Sequence, residues 1–348
     1  MRLTANEVFP KGNRRFKSSR LRGPHLYAYG ELGKGSKLMK VAVTGGAGFI
    51  GSNLTAKLLS AGHQVSIFDN LETGNLENLS ELQVDFVQGD LRNQSQVEEF
   101  FSNGNFEYCI HLGAMGSVPR SIEMPRTSFE ANVLGTFNLL EAAKVASLPI
   151  IYSSSSSVYG SNLKLPKTEV DWQSPISPYG SFKASSEAMM MAYAKSYNLK
   201  VNVYRLFNVY GPRQNPHGAY SAVVPRWTLS AFKGEEIVVY GDGNQKRDFT
   251  YVDDVNDIFL KTMKKTEVEM LPVNLAFGVP ITLNTMLKIF TEYFPNLKVS
   301  YSGIRKGDIR DSQSDPKKLQ ESIGDFEPTK LRDGLFTTFD WFKNKFGF

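Results

Sequence analysis

The stretch KVAVTGGAGFIGSNL, residues 40–54, constrains the fold more than any other part of the chain. A short apolar run, "KVAVT", reads as a buried strand, and residues 48–61 read as a helix. Between them Gly45, Gly48 and Gly51 stand at GxxGxxG spacing. Glycine there permits a tight turn and close approach of backbone to a pyrophosphate, and the helix start offers unpaired N–H donors to it. Phe49 and Ile50 open that helix and are counted with the same site. Asp69 closes the next apolar run, "QVSIF", 18 residues after Gly51. A carboxylate in that place accepts hydrogen bonds from ribose hydroxyls and repels a 2′-phosphate. No Lys or Arg follows in "DNLETGN", where Asn70 is the neighbour, so the sequence points to NAD rather than NADP.

The pattern repeats downstream. "EYCIHL" (107–112), "LPIIYS" (148–153) and "KVNVYRL" (200–206) read as further strands. Helical segments are expected at 125–146, 179–197, 221–233, 253–265, 282–294 and 330–345. Strand–helix alternation of this kind predicts an α/β fold, a Rossmann-type doubly wound parallel sheet covered on both faces. Beyond about residue 205 Pro and Gly become frequent and the alternation weakens. Residues 39–205 are therefore read as the NAD-binding domain, with roughly 248–275 returning to it, and 206–348 as a smaller, irregular C-terminal substrate domain.

Charge separates the first 38 residues from the rest. The chain carries 40 basic and 35 acidic residues, net +5. Nine of the basic and two of the acidic residues lie in 1–38, so that segment is +7 and the remainder is −2. Residues 1–38 lack sustained periodicity and are rich in Gly, Arg and Ser, which reads as disorder. A basic arm for nucleic acid or membrane, or an acid-poor transit peptide, are alternatives. Met39 opens the strand–glycine–helix unit and reads as the natural start, so the extension is expected to be dispensable. The net −2 of the body argues against nucleic-acid binding, and no apolar run approaches the ~18 residues of a membrane span. The single cysteine, Cys109, sits in an expected strand, which fits a core thiol and a reducing, cytoplasmic setting. The four histidines form no HxxxH or His/Cys cluster, so no metal is expected.

Five consecutive serines, 153–157, look at first like a linker. They lie between "PII" and "VYG", at the carboxyl end of an expected buried strand, where open α/β sheets bind ligands. About 25 residues on, "SPYGSFKASSEA" places Tyr179 and Lys183 four apart on one helical face. A tyrosine base at neutral pH needs its phenolate stabilised by roughly 3–4 kcal/mol against its usual pKa near ~10. An ammonium at ~5 Å and an effective dielectric of ~20 supplies about 3 kcal/mol, and burial works the other way. A serine hydroxyl both donates and accepts, so one of the tract can relay a proton to Tyr179.

Together these pieces make the chain resemble the extended short-chain dehydrogenase/reductase superfamily. Residues 39–348 are similar along their length to NAD-dependent nucleotide-sugar 4-epimerases, most of all those acting on UDP-N-acetylglucosamine. The likeness extends to "GDL" (89–91), "HLGAMGSVPRS" (111–121), Asn132, "RLFNVYGPRQNPHGAYSAVVPRW" (205–227), "GDGNQKRDFTYVDDV" (241–255) and "RKGDIRDSQSD" (305–315). The resemblance implies Ser155 as the catalytic serine beside Tyr179 and Lys183, with Ser153 and Ser154 lining cofactor and sugar. Ser154 or Ser156 remain alternatives for the relay. It further implies Asp90 and Leu91 near adenine, Ala114 along the cofactor path, Asn132 near the nicotinamide side and Phe207 packed near the ring. A homodimer through the helices at 125–146 and 179–197 is implied as well.

In related dehydratases and decarboxylases an acid follows the catalytic hydroxyl. Here Ser156 and Ser157 occupy those places, and no acid comes before Glu169, so elimination lacks its acid/base. For the substrate, the family contexts place Arg247 and Arg305 as bidentate grips on a diphosphate. They place Asn208 and Asp308 against diphosphate or sugar and uridine ribose, and Ser117 against the sugar. Ser312 falls where a bulky aromatic in the resembling enzymes restricts the site to glucose and galactose. A serine leaves room for a 2-acetamido group, so UDP-GlcNAc/UDP-GalNAc is favoured, with UDP-glucose/galactose also accepted. The alternatives are a UDP-glucuronate 4-epimerase, which one assay separates, and a catalytically silent NAD-binding scaffold, against which the retained Tyr179 and Lys183 argue.

Overall fold

A computed structural model of the protein describes residues 37–217, 221–265, 268–269, 271–303 and 310–348. The expectation for the basic segment therefore lies, for residues 1–36, outside the described residues, as do Arg305 and Asp308.

The apolar runs become strands β1 (Lys40–Thr44), β2 (Gln64–Asp69), β3 (Asp85–Gln88), β4 (Tyr108–His111), β5 (Ile150–Ser155) and β6 (Val201–Leu206). A seventh strand, Val273–Leu275, lies beside β6, and the order across the sheet is Val273–Leu275, β6, β5, β4, β1, β2, β3. Every pairing is parallel. Strands buried on both faces have to be continuously apolar: Val41, Ala42, Val43, Ile110, Ile150 and Ile151 are all 0% exposed. Cys109 is among them, a core thiol whose pKa burial pushes up.

The chain runs outward through β2 and β3, then returns to β4 on the other side of β1. That reversal opens a crevice at the carboxyl ends of β1 and β4, the place such sheets reserve for ligands. The Val252–Met263 helix packs on the Phe49–Ser60 helix, and with Val273–Leu275 it shares the core that contains Val41 and Ile67.

Residues beyond β6 build a second apolar cluster around Trp227, Val239, Met286, Phe290 and Phe339. Three two-stranded ribbons cross this part: Ile237–Tyr240 with Val299–Ser302, Lys246–Asp248 with Pro280–Thr282, and Val209–Tyr210 with Thr250–Tyr251.

Some elements differ from the sequence reading. The expected helix over 125–146 is α-helical at Pro125–Phe129 and Gly135–Ala146 but widens to a π-turn at Glu130–Leu134. Such turns mark positions where a side chain must be re-aimed, and Asn132 is the one aimed inward. β3, at the sheet edge, has exposed ends and a half-buried Phe86–Val87 middle, and it carries little apolar signal. The Gln94–Gly104 helix, capped by Asn93, had no counterpart in the expected elements.

Candidate active site

The glycine loop is shaped for a dinucleotide by what its glycines exclude. Gly45 has φ +70°, and a Cβ there would lie 2.7 Å from the Gly113 nitrogen. A Cβ on Gly51 would lie 2.2 Å from the Gly45 carbonyl oxygen, so the helix could not sit this close to the loop. Gly48 caps the Phe49–Ser60 helix without any side-chain hydrogen bond, leaving the first N–H groups turned toward the crevice.

Asp69, 7% exposed, accepts hydrogen bonds from the backbone N–H of Ala47 (3.0 Å) and of Leu71 (2.8 Å). It thus fastens the loop as well as facing the cleft, and burial raises its pKa against those two bonds. Asn70 donates to Asp90 at 3.1 Å. Burial raises the Asp90 carboxyl, but hydrogen bonds from Arg92 and Asn70 outweigh it and hold the group below its usual range.

These groups line a cleft of about 650 Å³, within the usual size of a cofactor site. Gly45, Gly48, Phe49, Ile50, Gly51, Asp69, Asn70, Asp90, Leu91, Ala114, Ser117 and Ser153 all line it. The residues present therefore fit a dinucleotide: a loop whose tight backbone approaches admit only glycine at 45 and 51, a helix start and a carboxylate at the end of β2.

Of the expected cofactor residues, Tyr179, Lys183, Asn132 and Phe207 are not among those lining this cleft. The Asn132 side chain accepts from the Met115 N–H at 2.9 Å and donates to the Ser128 hydroxyl at 3.1 Å, so it holds the 113–117 loop from behind. Phe207 is 0% exposed and packs with Val158, Tyr159 and Ala276.

At the inner end of the cleft stands the serine strand. Ser153–Ser155 complete β5, and Ser156–Val158 turn away in a short 3-10 helix. The Pro178–Tyr197 helix starts where Ser177 caps the Gly180 N–H and Pro178 occupies the first turn. The Tyr179 N–H donates to the buried Ser121 hydroxyl at 3.0 Å. The Ser155 hydroxyl donates to the Ser157 hydroxyl at 3.1 Å and accepts from the Ser157 N–H at 3.2 Å, and it stands close enough to the Tyr179 phenol to lower its pKa.

Ser154 is turned elsewhere: its hydroxyl donates to Glu187 at 2.5 Å, in the interior. The contacts therefore put Ser155, rather than Ser154, beside the phenol. Lys183 donates to the Ser153 carbonyl at 2.7 Å and lies 4.8 Å from the centre of the Tyr152 ring.

The charge layout corrects one expectation. Burial raises the Tyr179 phenol, and the Ser155 hydrogen bond is the group that opposes it; Lys183 is not. Burial also pushes Lys183 down to about 7, with Glu187 pulling the other way. Here desolvation outweighs the Coulomb attraction that the i, i+4 spacing promised, so Lys183 alone does not keep Tyr179 ionised. His111 lies nearby, hydrogen-bonded to Thr44 at 2.7 Å and Thr136 at 3.1 Å. Burial and the Lys183 charge push it down to about 3, so it is neutral.

A second cavity of about 280 Å³ opens among the C-terminal elements, and Gln214 lines both cavities. Asn208 and Arg247 line it, with Arg226 and Tyr240. Asn208 holds φ +34°, a conformation asparagine tolerates, and donates to the Asp248 carbonyl at 3.1 Å. Arg247 donates to the Arg310 carbonyl at 2.6 Å. Ser312, half-buried, donates its N–H to the Lys246 carbonyl at 3.0 Å, which sets it one residue from the Arg247 strand position.

The sequence reading missed Glu187 and Arg205, a buried pair at 2.8 Å with both side chains 3% exposed. The signal was available: Tyr179, Lys183 and Glu187 continue one helical face at i, i+4 and i+8.

A dinucleotide cleft at the switch point of a parallel sheet, ending at a Ser–Tyr–Lys cluster, defines a pyridine-nucleotide enzyme of the short-chain dehydrogenase/reductase kind. More narrowly, the chain belongs to the NAD-dependent epimerase/dehydratase family, whose model matches residues 41–276. Its cofactor is accordingly NAD. It is 34% identical over 308 residues to a putative UDP-glucose 4-epimerase of Methanocaldococcus jannaschii, covering 87% of this chain and 98% of that one.

Among solved structures it resembles the UDP-glucose 4-epimerase of Thermotoga maritima with UDP-glucose (37% identity, TM-score 0.84, 88% of this chain and 100% of that one). It also resembles the UDP-N-acetylglucosamine 4-epimerase of Methanobrevibacter ruminantium in complex with UDP-N-acetylmuramic acid (34%, TM-score 0.83, 89% and 100%). Among the described residues no helix is long and apolar enough to cross a membrane, and no group of three His, Cys, Asp or Glu is arranged to hold a metal.

Proposed function

We propose that the chain inverts C4 of a UDP-hexose, with UDP-GlcNAc/UDP-GalNAc preferred and UDP-glucose/galactose also accepted. The observation that carries this is that Ser155 opposes the burial of the Tyr179 phenol, with Lys183 one turn on and bonded to the carbonyl of Ser153, which lines the dinucleotide cleft. NAD, when bound, would supply a reversible hydride acceptor for C4 and a cationic ring that favours ionisation of nearby acids. Tyr179 takes the proton of the sugar O4, directly or through Ser155. It gives that proton back once the 4-keto sugar has presented its other face. Lys183, fixed on the Ser153 carbonyl, stabilises the phenolate as it forms. Burial keeps Tyr179 protonated at neutral pH, so the base has to be generated with sugar and cofactor in place rather than held ready.

The turn after Ser155 supports inversion over elimination, because Ser156 and Ser157 stand where an extra acid would act. Arg247 is assigned to the diphosphate and Asn208 to diphosphate or sugar; Arg305 and Asp308 keep the roles the resemblance gives them. We assign the chain to a homodimer through the helices at 125–146 and 179–197, since Phe129, Leu134 and Phe137 are 46%, 38% and 42% exposed on the first of these. The test is incubation with UDP-GlcNAc, UDP-glucose and UDP-glucuronate, with and without added NAD, resolving products by chromatography. Epimers of the first two are expected; turnover of UDP-glucuronate alone would replace this reading.

A further inference from the structure

Beneath the catalytic face lies a buried acid that the reaction above does not use. Glu187 is 2% exposed and continues the Tyr179–Lys183 face by one more turn. All its hydrogen-bonding capacity is spent inward. Ser154 donates to Oε1 at 2.5 Å, Gln173 to Oε2 at 2.6 Å, and Arg205 to both oxygens at 2.8–3.2 Å. Arg205 in turn donates to the Tyr159 phenol at 2.8 Å and the Glu169 carbonyl at 3.1 Å. A buried ion pair is seldom retained for stability, since its desolvation cost rivals its attraction. This one grips the strand residue next to Ser155 and stands one helical turn from Lys183.

We propose that Glu187 is a positioning residue: pinned by Arg205, it serves as the buried counter-charge of Lys183 and, through Ser154, fixes the strand end that presents Ser155 to Tyr179. The inference rests on the epimerase reading for its kinetic consequence but not for its physical one. The charged and titratable groups around Lys183 are few. Tyr179 and Glu187 share its helix, Tyr152 comes from β5, neutral His111 from β4, and Arg205 from β6 behind Glu187. Of these, Glu187 is the group that favours the ammonium, while burial opposes it. Removing the carboxylate therefore lowers the Lys183 pKa further. The phenolate at Tyr179 then loses its cation at a lower pH, and the alkaline limb of the pH–rate profile moves down.

The test has two arms. In ¹³C-lysine-labelled protein, with Lys183→Ala as the assignment control, the Lys183 side-chain resonance should titrate about one pH unit lower in Glu187→Gln than in the parent. In turnover assays the alkaline limb of kcat/KM should fall by the same amount, a roughly tenfold loss one unit above the new limb, with Glu187→Asp restoring most of it. Glu187→Gln leaves Arg205 without its counter-charge and risks unfolding, so Glu187→Gln/Arg205→Met is measured alongside. The double variant removes the opposing guanidinium charge as well, so its shift should run in the same downward direction and be smaller. Unmoved Lys183 titration in folded variants, or activity lost equally at every pH, overturns the proposal. Absence of turnover in the parent with every UDP-sugar defeats the epimerase reading, while the titration arm still decides this one.

Discussion

At the residue scale the account turns on Tyr179. Burial keeps its phenol protonated without ligands to ionise it, and Ser155 is the group that opposes the burial. Tyr179→Phe should cut kcat by about 10²–10⁴-fold, the usual worth of a positioned acid/base, while NAD binding measured by calorimetry changes little. Ser312 makes a different prediction. Its N–H is tied to the Lys246 carbonyl at 3.0 Å, so a side chain there projects from a fixed backbone beside the Arg247 strand. Ser312→Tyr should abolish turnover of UDP-GlcNAc and spare UDP-galactose; equal loss of both would remove Ser312 from the specificity argument. The serine tract shows the limit of reading residues in one dimension. Five identical side chains are indistinguishable by type, and only the contacts separate Ser155 beside the phenol from Ser154 beside Glu187. The i, i+4 spacing of Tyr179 and Lys183 was legible, but the balance of burial against charge was not, because desolvation depends on neighbours far along the chain.

At the scale of elements, the glycine loop carries the most sharply defined geometry. Gly51→Ala would push a methyl to within 2.2 Å of the Gly45 carbonyl, and only backbone movement relieves that. Overpacking of this kind costs about 1–3 kcal/mol. The melting temperature should drop by several degrees, and NAD affinity should fall roughly tenfold or more, read by thermal denaturation and calorimetry. Strand, loop and first helix were legible because their signals are local: β-branched residues, glycine spacing, then helical periodicity. The π-turn at Glu130–Leu134 was not, because it exists to swing Asn132 onto the Met115 N–H, a partner 17 residues away. β3 and Val273–Leu275 escaped for another reason. One is a half-exposed edge strand and the other is three residues long, and both are held by pairing to a neighbour rather than by their own pattern.

At the scale of the whole molecule, two cavities meet at Gln214, one built by the parallel sheet and one by the ribbons beyond β6. The carboxyl ends of the sheet offer the dinucleotide a site; the second cavity, lined by Asn208 and Arg247, is where the diphosphate and sugar are proposed to sit. The exposed apolar side chains of Phe129, Leu134 and Phe137 make a further prediction at this scale. Leu134→Glu/Phe137→Glu should convert a dimer into a monomer by light scattering without loss of secondary structure; a parent protein that is already monomeric refutes the assignment.

The central claim is that C4 is oxidised and then re-reduced by the same hydride, with Tyr179 handling the proton. UDP-GlcNAc and UDP-glucose carrying deuterium at C4 test it directly, by mass and proton NMR analysis of the products. The account predicts inverted sugars that keep the deuterium at C4. Deuterium lost to solvent, or no inversion of either sugar, would contradict it.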